Sequence, residues 1–296
     1  MERIKRIERK PSLILTSDWH LREDTPTCWT GDFQEEQWLS VTFVSKLQEQ
    51  YNCPVIHAGD LFHHWKPSPW LLTQASALLP QSFVSIYGQH DLPQHNLELK
   101  DKSGLYNLMI NGRVGIPDRG CHYGQIPTVE MAFIIKDKRV LLWHHMTYIT
   151  PPFPGATGGN VISILKKYPQ FDLLVTGDNH QSFCVGHGEQ LLVNPGNLTR
   201  QTADQIDFHP RVALWYAETN TIEWVNIPIQ QGVITREHLE KKEERNERLS
   251  AFIEKLDSDY EIGLSFEQNL ETYFGANDTP PDVKQIIYKS IENENL

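Results

Sequence analysis

Side chains that can bind metal ions follow two of the first apolar runs of the sequence. "LILTSDWH" (13–20) ends in Asp18 and His20, and "PVIHAGD" (54–60) ends in Asp60. In an extended chain, residues i and i+2 lie on the same side, so a carboxylate oxygen and an imidazole nitrogen can bind one transition metal ion. Each motif is weak alone, because Asp-x-His pairs are common on surfaces and Asp60 is equally typical of a turn or a helix N-cap.

Three later apolar runs end in side chains of the same kinds. They are "FVSIYGQHD" (83–91), "VLLWHH" (140–145) and "LLVTGDNH" (173–180). The candidates at their ends are His90, Asp91, His144, His145, Asp178 and His180. Either residue of the adjacent histidine pair could instead be a partly buried, hydrogen-bonded histidine. The ordered series D-x-H, G-D, G-x-H-D, H and G-D-x-H is much more specific than any one motif.

The series predicts a pair of divalent metal ions. One metal site needs about four to six nitrogen or oxygen ligands and a pair needs about eight, which these run ends nearly supply. Two cations suit phosphoester hydrolysis, because a bound water ionises near neutral pH while both ions stabilise charge on the attacking and leaving oxygens. A His/Asp set without thiolates favours Mn or Fe over Mg, and Zn stays possible.

Strands that alternate with helices must position these residues. The apolar runs have the composition of buried strands, and helical patterns at 35–51, 68–79 and 161–168 fill gaps between them. This alternation predicts an α/β fold whose ligands gather beyond the carboxyl ends of the strands. Two hairpins, with turns at 136–138 and 219–220, predict mixed sheets.

With these motifs, the sequence resembles the calcineurin-like metallophosphoesterases over roughly residues 12–228. "VNPGN" (193–197) is similar to the Asn-Pro-Gly loop of that family, and "GDLFHHWKPS" (59–68) resembles a segment of the SbcD-type DNA-repair nucleases, especially small phage-encoded members. We therefore predict a four-layer α/β sandwich of two mixed β-sheets flanked by helices. The expected activity is two-metal-dependent phosphodiester hydrolysis by a metal-bound hydroxide.

The resemblance implies a role for each candidate ligand. The first metal would be held by Asp18, His20 and His180, with Asp60 bridging the two ions. The second metal would bind Asp60, Gln89, Asp178 and one of His144 and His145. His144 is favoured because the family's ligand is usually the first polar residue after the strand.

The resemblance also implies three residues that act on the substrate or on each other. His90 would protonate the leaving oxygen or stabilise the transition state, and Asp91 would orient His90. His63 matches a histidine that contacts the scissile phosphate in the nuclease branch. Trp65, near the motif loops, could stack on a base or pack beneath the loops.

Two departures from the family pattern fall on the second metal. Gln89 stands where the family usually has Asn, and Asp178 stands where it usually has His. Glutamine offers the same amide oxygen on a longer side chain, and a carboxylate should favour Mn or Mg over Zn. We therefore predict that the second metal binds more weakly than the first.

The composition indicates the cellular compartment of the protein but does not decide whether it binds DNA. The net charge is −11, but residues 230–296 hold 8 Lys/Arg and 15 Asp/Glu, so the rest of the chain carries −4. Two divalent cations would bring that part near neutral, so acidity does not exclude DNA. The four scattered cysteines favour a reducing compartment, and with no signal peptide or membrane span in the sequence we expect a cytoplasmic protein without a membrane partner.

From about residue 230 the sequence becomes acidic and helical, with one helix predicted over 235–256. We predict a catalytic domain over 1–229 and a helical module over 230–296. By resemblance the module could dock an SbcC-like coiled-coil ATPase, and the alternative is that it packs on the catalytic domain. The predicted substrate is single- or double-stranded DNA, with exo- or endonuclease action left open. The alternatives are a phosphatase or phosphodiesterase for nucleotides or other small phosphoesters, and an inactive binding scaffold.

Overall fold

The computed structural model describes residues 9–115, 117, 119–151, 155–237, 243, 245–250 and 266–294. The chain divides into two compact units, Met1–Thr235 and Arg236–Leu296. In chain order the strands are β1 (Leu13–Thr16), β2 (Val55–His57), β3 (Phe83–Ser85), β4 (Phe133–Ile135), β5 (Lys138–Trp143), β6 (Thr147–Tyr148), β7 (Gly159–Asn160), β8 (Leu173–Thr176), β9 (Phe183–His187), β10 (Gln190–Asn194), β11 (Arg211–Tyr216) and β12 (Thr221–Asn226). The helices of the first unit are α1 (Phe33–Tyr51), α2 (Pro69–Leu78), α3 (Gly104–Ile110) and α4 (Val161–Lys167), with short 3₁₀ turns at Pro93–His95, Leu97–Lys102, Val129–Met131 and Ala203–Gln205.

Two mixed five-stranded sheets form the first unit. The first has the order β12-β11-β1-β2-β3, and the second has the order β4-β5-β8-β10-β9. In the first sheet β1, β2 and β3 are parallel, with β3 at the edge, and in the second sheet the three central strands β5, β8 and β10 are parallel. The other strands of each sheet are antiparallel to their neighbours. β6 and β7 form a separate two-stranded ribbon. The predicted fold class, with both hairpins and mixed sheets, is confirmed.

Consecutive apolar residues of the parallel strands build the layers. Leu15 and Ile56 face the cluster between the two sheets, whereas Ile14 and Val55 face α1 and α2 on the outside of the first sheet. In the second sheet, neighbouring residues divide in the same way between the central cluster and the cluster under α4. Successive strand residues point to opposite faces, so strands apolar at every position require a layer on each side.

The helix starts follow ordinary capping chemistry. Asp32 accepts a hydrogen bond from the Glu35 N–H group at the start of α1, and Ser68 does the same for Leu71 at the start of α2. Pro69 occupies the first position of α2, where its missing N–H group has no helical partner to lose. These caps set where each helix begins after the loop that leaves the sheet.

Residues 230–235 belong to the first unit, beyond the boundary that the sequence suggested at 229. The Thr30 N–H group donates to the Val233 carbonyl at 2.9 Å, and the Thr235 N–H group donates to the Cys28 carbonyl at 2.8 Å. The Gln230 N–H group donates to the buried Glu36 carboxylate at 2.9 Å. These bonds fix the segment against the loop before α1.

The second unit contains two described helices, Phe266–Ala276 and Pro281–Glu294. They meet through Leu270, Phe274 and Ile287. Of the helix predicted over 235–256, residues 245–250 are helical, and 238–242, 244 and 251–256 lie outside the described residues. Among the residues that the structure describes, no helix combines the length and apolar character needed to span a bilayer.

Candidate metal centre

The polar strand ends of both sheets meet at one edge of the sandwich. The Asp178 N–H group, after β8, donates to Asp18 Oδ1, after β1, at 2.9 Å. His144, after β5, approaches Asp60, after β2, with 3.5 Å between Nε2 and Oδ2. Side chains separated by more than 80 residues in sequence therefore lie in one pocket, as expected beyond the carboxyl ends of parallel strands.

Four of the candidate ligands have left-handed backbone conformations. The φ angles are 51° for Asp18, 45° for His20, 59° for Asp60 and 72° for Asp178. This region is uncommon for residues other than glycine, and Asp and His are among the types that adopt it most readily. The turns persist because neighbouring backbone fixes them: the N–H groups of Asp18 and His20 donate to the carbonyls of Gly59 and Asp60, both at 3.0 Å.

Close backbone approach at two glycines makes room for the ligands. A Cβ atom at Gly88 would lie 2.1 Å from Asp60 Oδ1, and one at Gly59 would lie 2.4 Å from His144 Nδ1. Gly59 also has φ 94°, a conformation that side chains rarely adopt. Any larger residue at position 88 would therefore displace the Asp60 carboxylate.

The first group of candidate ligands consists of Asp18, His20 and His180, whose ligand atoms lie within 4.8 Å of one another. His20 Nε2 is 3.2 Å from His180 Nε2 and 3.8 Å from Asp60 Oδ2. Two imidazole nitrogens that face each other beside two carboxylates form a nitrogen- and oxygen-rich pocket for a transition metal ion.

The second group consists of Asp18, Asp60 and His144, again within 4.8 Å. His144 is buried, and its Nδ1 lies 2.6 Å from the Ala58 carbonyl. With the proton on Nδ1, this bond leaves Nε2 as a potential ligand. His145 instead stacks on Trp143 at a centroid distance of 4.0 Å, so His144 is the member of the pair inside the pocket.

Gln89 and Asp178 complete the side of the pocket next to His144. Gln89 Oε1 lies 2.5 Å from His144 Nε2, and Gln89 Nε2 donates to Asp178 Oδ1 at 2.5 Å. The longer amide thus reaches the pocket, with its oxygen on the side of the candidate ligand nitrogen. Whether Gln89 and Asp178 ligate an ion stays a prediction.

Burial and clustering set the charges of the pocket. Burial raises the pKa of Asp18 to about 8, against the opposing effect of His144. Burial alone would lower the pKa of His144, but Asp60 and Asp18 raise it to about 10. Burial lowers the pKa of His20 and of His180, which keeps both imidazoles neutral with a lone pair to donate. The carboxylates therefore favour positive charge in the pocket.

These residues fit a pair of divalent cations. Asp18 Oδ2 and Asp60 Oδ2 are buried and have no hydrogen-bond partner among the described residues. Buried carboxylate oxygens without donors are costly unless a cation satisfies them. Asp18 and Asp60 belong together to the second group, and Asp60 also approaches His20 of the first, so carboxylates lie between the two sets of imidazoles. The donor set is oxygen and nitrogen throughout.

His90 and His63 lie beside the first group. Their rings stack at 5.6 Å between centroids, and His90 is 4.8 Å from the His20 ring centroid. His90 Nδ1 is 2.8 Å from the His63 carbonyl oxygen, and the His90 N–H group donates to Asp60 Oδ1 at 2.8 Å. With its proton on Nδ1, the His90 ring has Nε2 available to exchange a proton with a bound substrate.

The expected role of Asp91 is corrected by these contacts. Its carboxylate accepts hydrogen bonds from the N–H groups of Asp60, Leu61, Phe62 and Gly88, at 2.9 to 3.3 Å. The partner of His90 Nδ1 is instead the His63 carbonyl oxygen. Asp91 therefore holds the backbone of the Asp60 loop. Burial raises the pKa of its carboxyl to about 7, against the effect of these N–H donors.

Two supporting asparagines were not singled out in the sequence. Asn194 Nδ2 donates to the carbonyls of Asn179 and Gln181, at 2.5 and 2.7 Å, and so holds the loop that carries His180. Asn179 Nδ2 donates to the Thr147 carbonyl at 2.6 Å. The "VNPGN" loop was the available signal for Asn194, whereas nothing in the local sequence of Asn179 indicates its partner.

The family is decided by a match along most of the first unit. The family model of the calcineurin-like phosphoesterase superfamily domain matches residues 12–218. The chain belongs to this superfamily. It is thus a metal-dependent phosphoesterase of the two-metal calcineurin-like kind, and the groups around Asp18 and Asp60 are its candidate metal-binding residues.

Solved structures that are similar to this chain have low sequence identity and TM-scores below 0.5. An archaeal phosphodiesterase is 17% identical with a TM-score of 0.43, over 72% of this chain and 98% of that chain. A putative 5′-nucleotidase from Staphylococcus aureus is 14% identical with a TM-score of 0.44, over 79% of this chain and 58% of that chain. A metallophosphoesterase from Sphaerobacter thermophilus is 13% identical with a TM-score of 0.37, over 74% and 89%. No curated protein matches the sequence.

Proposed function

We propose that this calcineurin-like phosphoesterase hydrolyses phosphodiester bonds of DNA, as a small member of the SbcD-type nuclease branch, with manganese as its preferred metal. The observation that carries the proposal is the position of His63, from the "GDLFHH" segment. Its ring stacks with His90 and is half-buried, so both imidazoles border the side of the pocket next to His20. Imidazoles beside a metal centre suit a substrate phosphate.

The residues of the chain divide the chemistry between them. Asp18, His20, Asp60 and His180, with Gln89, His144 and Asp178 on the second side, are proposed to hold the metals. Divalent cations bound there would supply Lewis acidity toward the phosphoryl oxygens and toward water. His63 would contact the scissile phosphate. His90 would give a proton from Nε2 to the leaving oxygen, while Nδ1 keeps its own proton in the hydrogen bond to the His63 carbonyl.

Residues next to His63 offer a path for the rest of a DNA strand. His64 and Lys66 are exposed and Trp65 is half-buried, with 5.3 Å between the His64 and Trp65 ring centroids. A cationic side chain and aromatic rings in sequence suit a backbone phosphate and a stacked base. A small phosphoester would not need this surface.

The test is cleavage of single- and double-stranded DNA by the purified chain with Mn²⁺. We expect cleavage by the native chain and a loss of about 10²–10⁴-fold in rate for His90→Ala, the usual contribution of one proton-transfer group. His187→Ala is the matched control, because His187 is exposed at the end of β9 and outside the candidate metal groups. Intact DNA together with rapid hydrolysis of bis-p-nitrophenyl phosphate would refute the nuclease proposal in favour of a small-molecule phosphodiesterase.

We also propose that the second unit docks an SbcC-like coiled-coil ATPase. The helix Pro281–Glu294 exposes Val283 and Ile286, at 39% and 47% of their surface. Apolar side chains exposed on one helix suit a helical partner. In a copurification assay with such an ATPase, Ile286→Asp should abolish binding, whereas Gln285→Asp, at an exposed position on another face of the same helix, should retain it. Binding that survives Ile286→Asp would exclude this face.

A further inference from the structure

A cavity opens beside the metal centre, at the edge formed by β9, β11 and β12. Its volume is about 480 Å³, and its lining includes Gln181, Ser182, Asp204, Phe208, Arg211 and Asn226. This volume falls within the range of roughly 300–1,000 Å³ that is usual for small-ligand sites. None of these side chains belongs to the candidate metal groups among the described residues.

The strand registers locate the cavity at the metal-binding end of the sandwich. β11 is antiparallel to β1 and pairs Ala213 with Leu15, so Arg211 lies level with the residues that lead to Asp18. β9 begins opposite Asn194, the last residue of β10. Gln181 directly follows His180, a candidate ligand. A substrate phosphate at the metals would therefore have the cavity next to it on the His180 side.

The guanidinium group of Arg211 forms one wall of the cavity, and two contacts hold it in place. Arg211 Nη2 donates to the Ser182 carbonyl at 2.8 Å, and its guanidinium lies 4.0 Å from the centroid of the Trp224 ring. Stacking and this hydrogen bond hold the guanidinium plane, which carries five N–H groups in all. Arg211 thus offers fixed donors to a ligand.

The charge of the lining distinguishes between possible ligands. Asp204 and Asp207 are exposed carboxylates at the cavity, against the single guanidinium of Arg211. A second phosphate would meet more negative than positive charge. A neutral, flat, polar group would instead find a half-buried aromatic ring in Phe208, together with donors and acceptors around it.

From this position and chemistry, we propose that the cavity binds the nucleoside next to the scissile phosphate. Its base would stack on Phe208, and Asn226 and Gln181 would contact its polar edge or its sugar. This inference deepens the proposed function, because it assigns a nucleotide-containing diester to the site. It also separates nucleotide substrates from methyl p-nitrophenyl phosphate, whose methyl group is too small to fill the cavity and cannot stack on Phe208.

The test compares two chromogenic substrates in the presence of Mn²⁺. Thymidine 5′-(p-nitrophenyl phosphate) carries a nucleoside beside its leaving group, and methyl p-nitrophenyl phosphate carries only a methyl group there. For Phe208→Ala we expect KM to rise about tenfold for the thymidine ester, the size of one lost base-stacking contact, with KM for the methyl ester unchanged. Phe208→Tyr should retain the native KM. Trp70→Ala, which removes an exposed aromatic ring on α2, is the control.

A binding measurement keeps the inference separate from catalysis. Calorimetric titration of the full chain with each of the four deoxynucleosides should detect binding of at least one, weakened about tenfold by Phe208→Ala. An absence of binding by all four, or equal effects of Phe208→Ala on both esters, would overturn the inference. If DNA stays intact while the nucleoside binds through Phe208, the cavity assignment stands and the DNA substrate is wrong.

Discussion

Asp91 provides a sharp test of how the site is built. Its Oδ2 accepts from the N–H groups of Asp60, Leu61 and Gly88, and its Oδ1 accepts from that of Phe62. Asp91→Ala removes all four acceptor contacts and leaves buried donors, each costing about 1–3 kcal/mol. Because such costs are not additive, we expect the free energy of unfolding to fall by about 4 kcal/mol. Asp91→Asn keeps one oxygen that can accept from the three N–H groups now bonded to Oδ2. We therefore expect its free energy of unfolding to fall by only about 1–2 kcal/mol.

Thermal unfolding of the metal-free protein measures the two changes. For a unit of this size, about 1 kcal/mol corresponds to roughly 2–4 °C in Tm. Asp91→Ala should therefore lower Tm by about 8–16 °C, and Asp91→Asn by roughly 5 °C. Since Asp91→Asn leaves the His63 carbonyl as the partner of His90, kcat and its dependence on pH should change little in that variant.

The opposite pattern would refute this reasoning. If Asp91 acted through His90, Asp91→Asn would lower kcat by a hundredfold or more and shift the pH profile, while Tm stayed near the native value. His187→Asn, a change at an exposed residue of β9 away from the pocket, controls for nonspecific effects of a new amide. Asp91→Asn also keeps the test usable if Asp91→Ala does not fold.

Four further outcomes follow from the site. His144→Ala should bind one metal ion fewer than His145→Ala in calorimetric titration, because only the first imidazole lies in the pocket. Titration of the native chain should show two unequal sites, and two equally tight sites would contradict the predicted weakness of the second. Gly88→Ala should weaken metal binding, since its Cβ would lie 2.1 Å from a carboxylate oxygen, whereas Gly186→Ala, with its nearest atom at 3.6 Å, should not. Burial lowers the pKa of His57 to about 3, so the metal-free protein should lose up to about 4 kcal/mol as pH falls from 6.5 toward 3, and His57→Gln should flatten that loss in chemical unfolding.

The layers of the fold could be predicted because they depend on local pattern. Ile14 and Leu15, like Leu141 and Leu142, are apolar neighbours that face opposite sides of a strand, so each strand needed a layer on both faces. Polar residues directly after such strands had to lie at one edge of a sheet. The hairpins were visible in the same way, as short polar turns between apolar runs.

The partners of individual side chains could not be predicted, because they depend on distant loops. Asp91 follows His90 in sequence, which suggested that it orients that ring, yet its oxygens meet the backbone of residues 60–62 and 88. His57 lies in the same run as Asp60, yet it is buried and bonds to Ser85 on the neighbouring strand at 2.9 Å. The sequence can predict that a residue follows a strand, but the hydrogen-bond partner of its side chain depends on tertiary packing.

The two residues that depart from the family pattern, Gln89 and Asp178, contact each other directly. Gln89 and Asp178 come from different sheets, yet the Gln89 amide donates to the Asp178 carboxylate while its oxygen faces His144 Nε2. The Gln89 side chain is one methylene longer than that of asparagine, and the Asp178 side chain is shorter than that of histidine. Together the two side chains fill the space between the two loops. The hydrogen bond satisfies the amide nitrogen and directs the amide oxygen into the pocket. A longer residue on one side thus faces a shorter one on the other, and the second side of the pocket presents oxygen atoms from both Gln89 and Asp178.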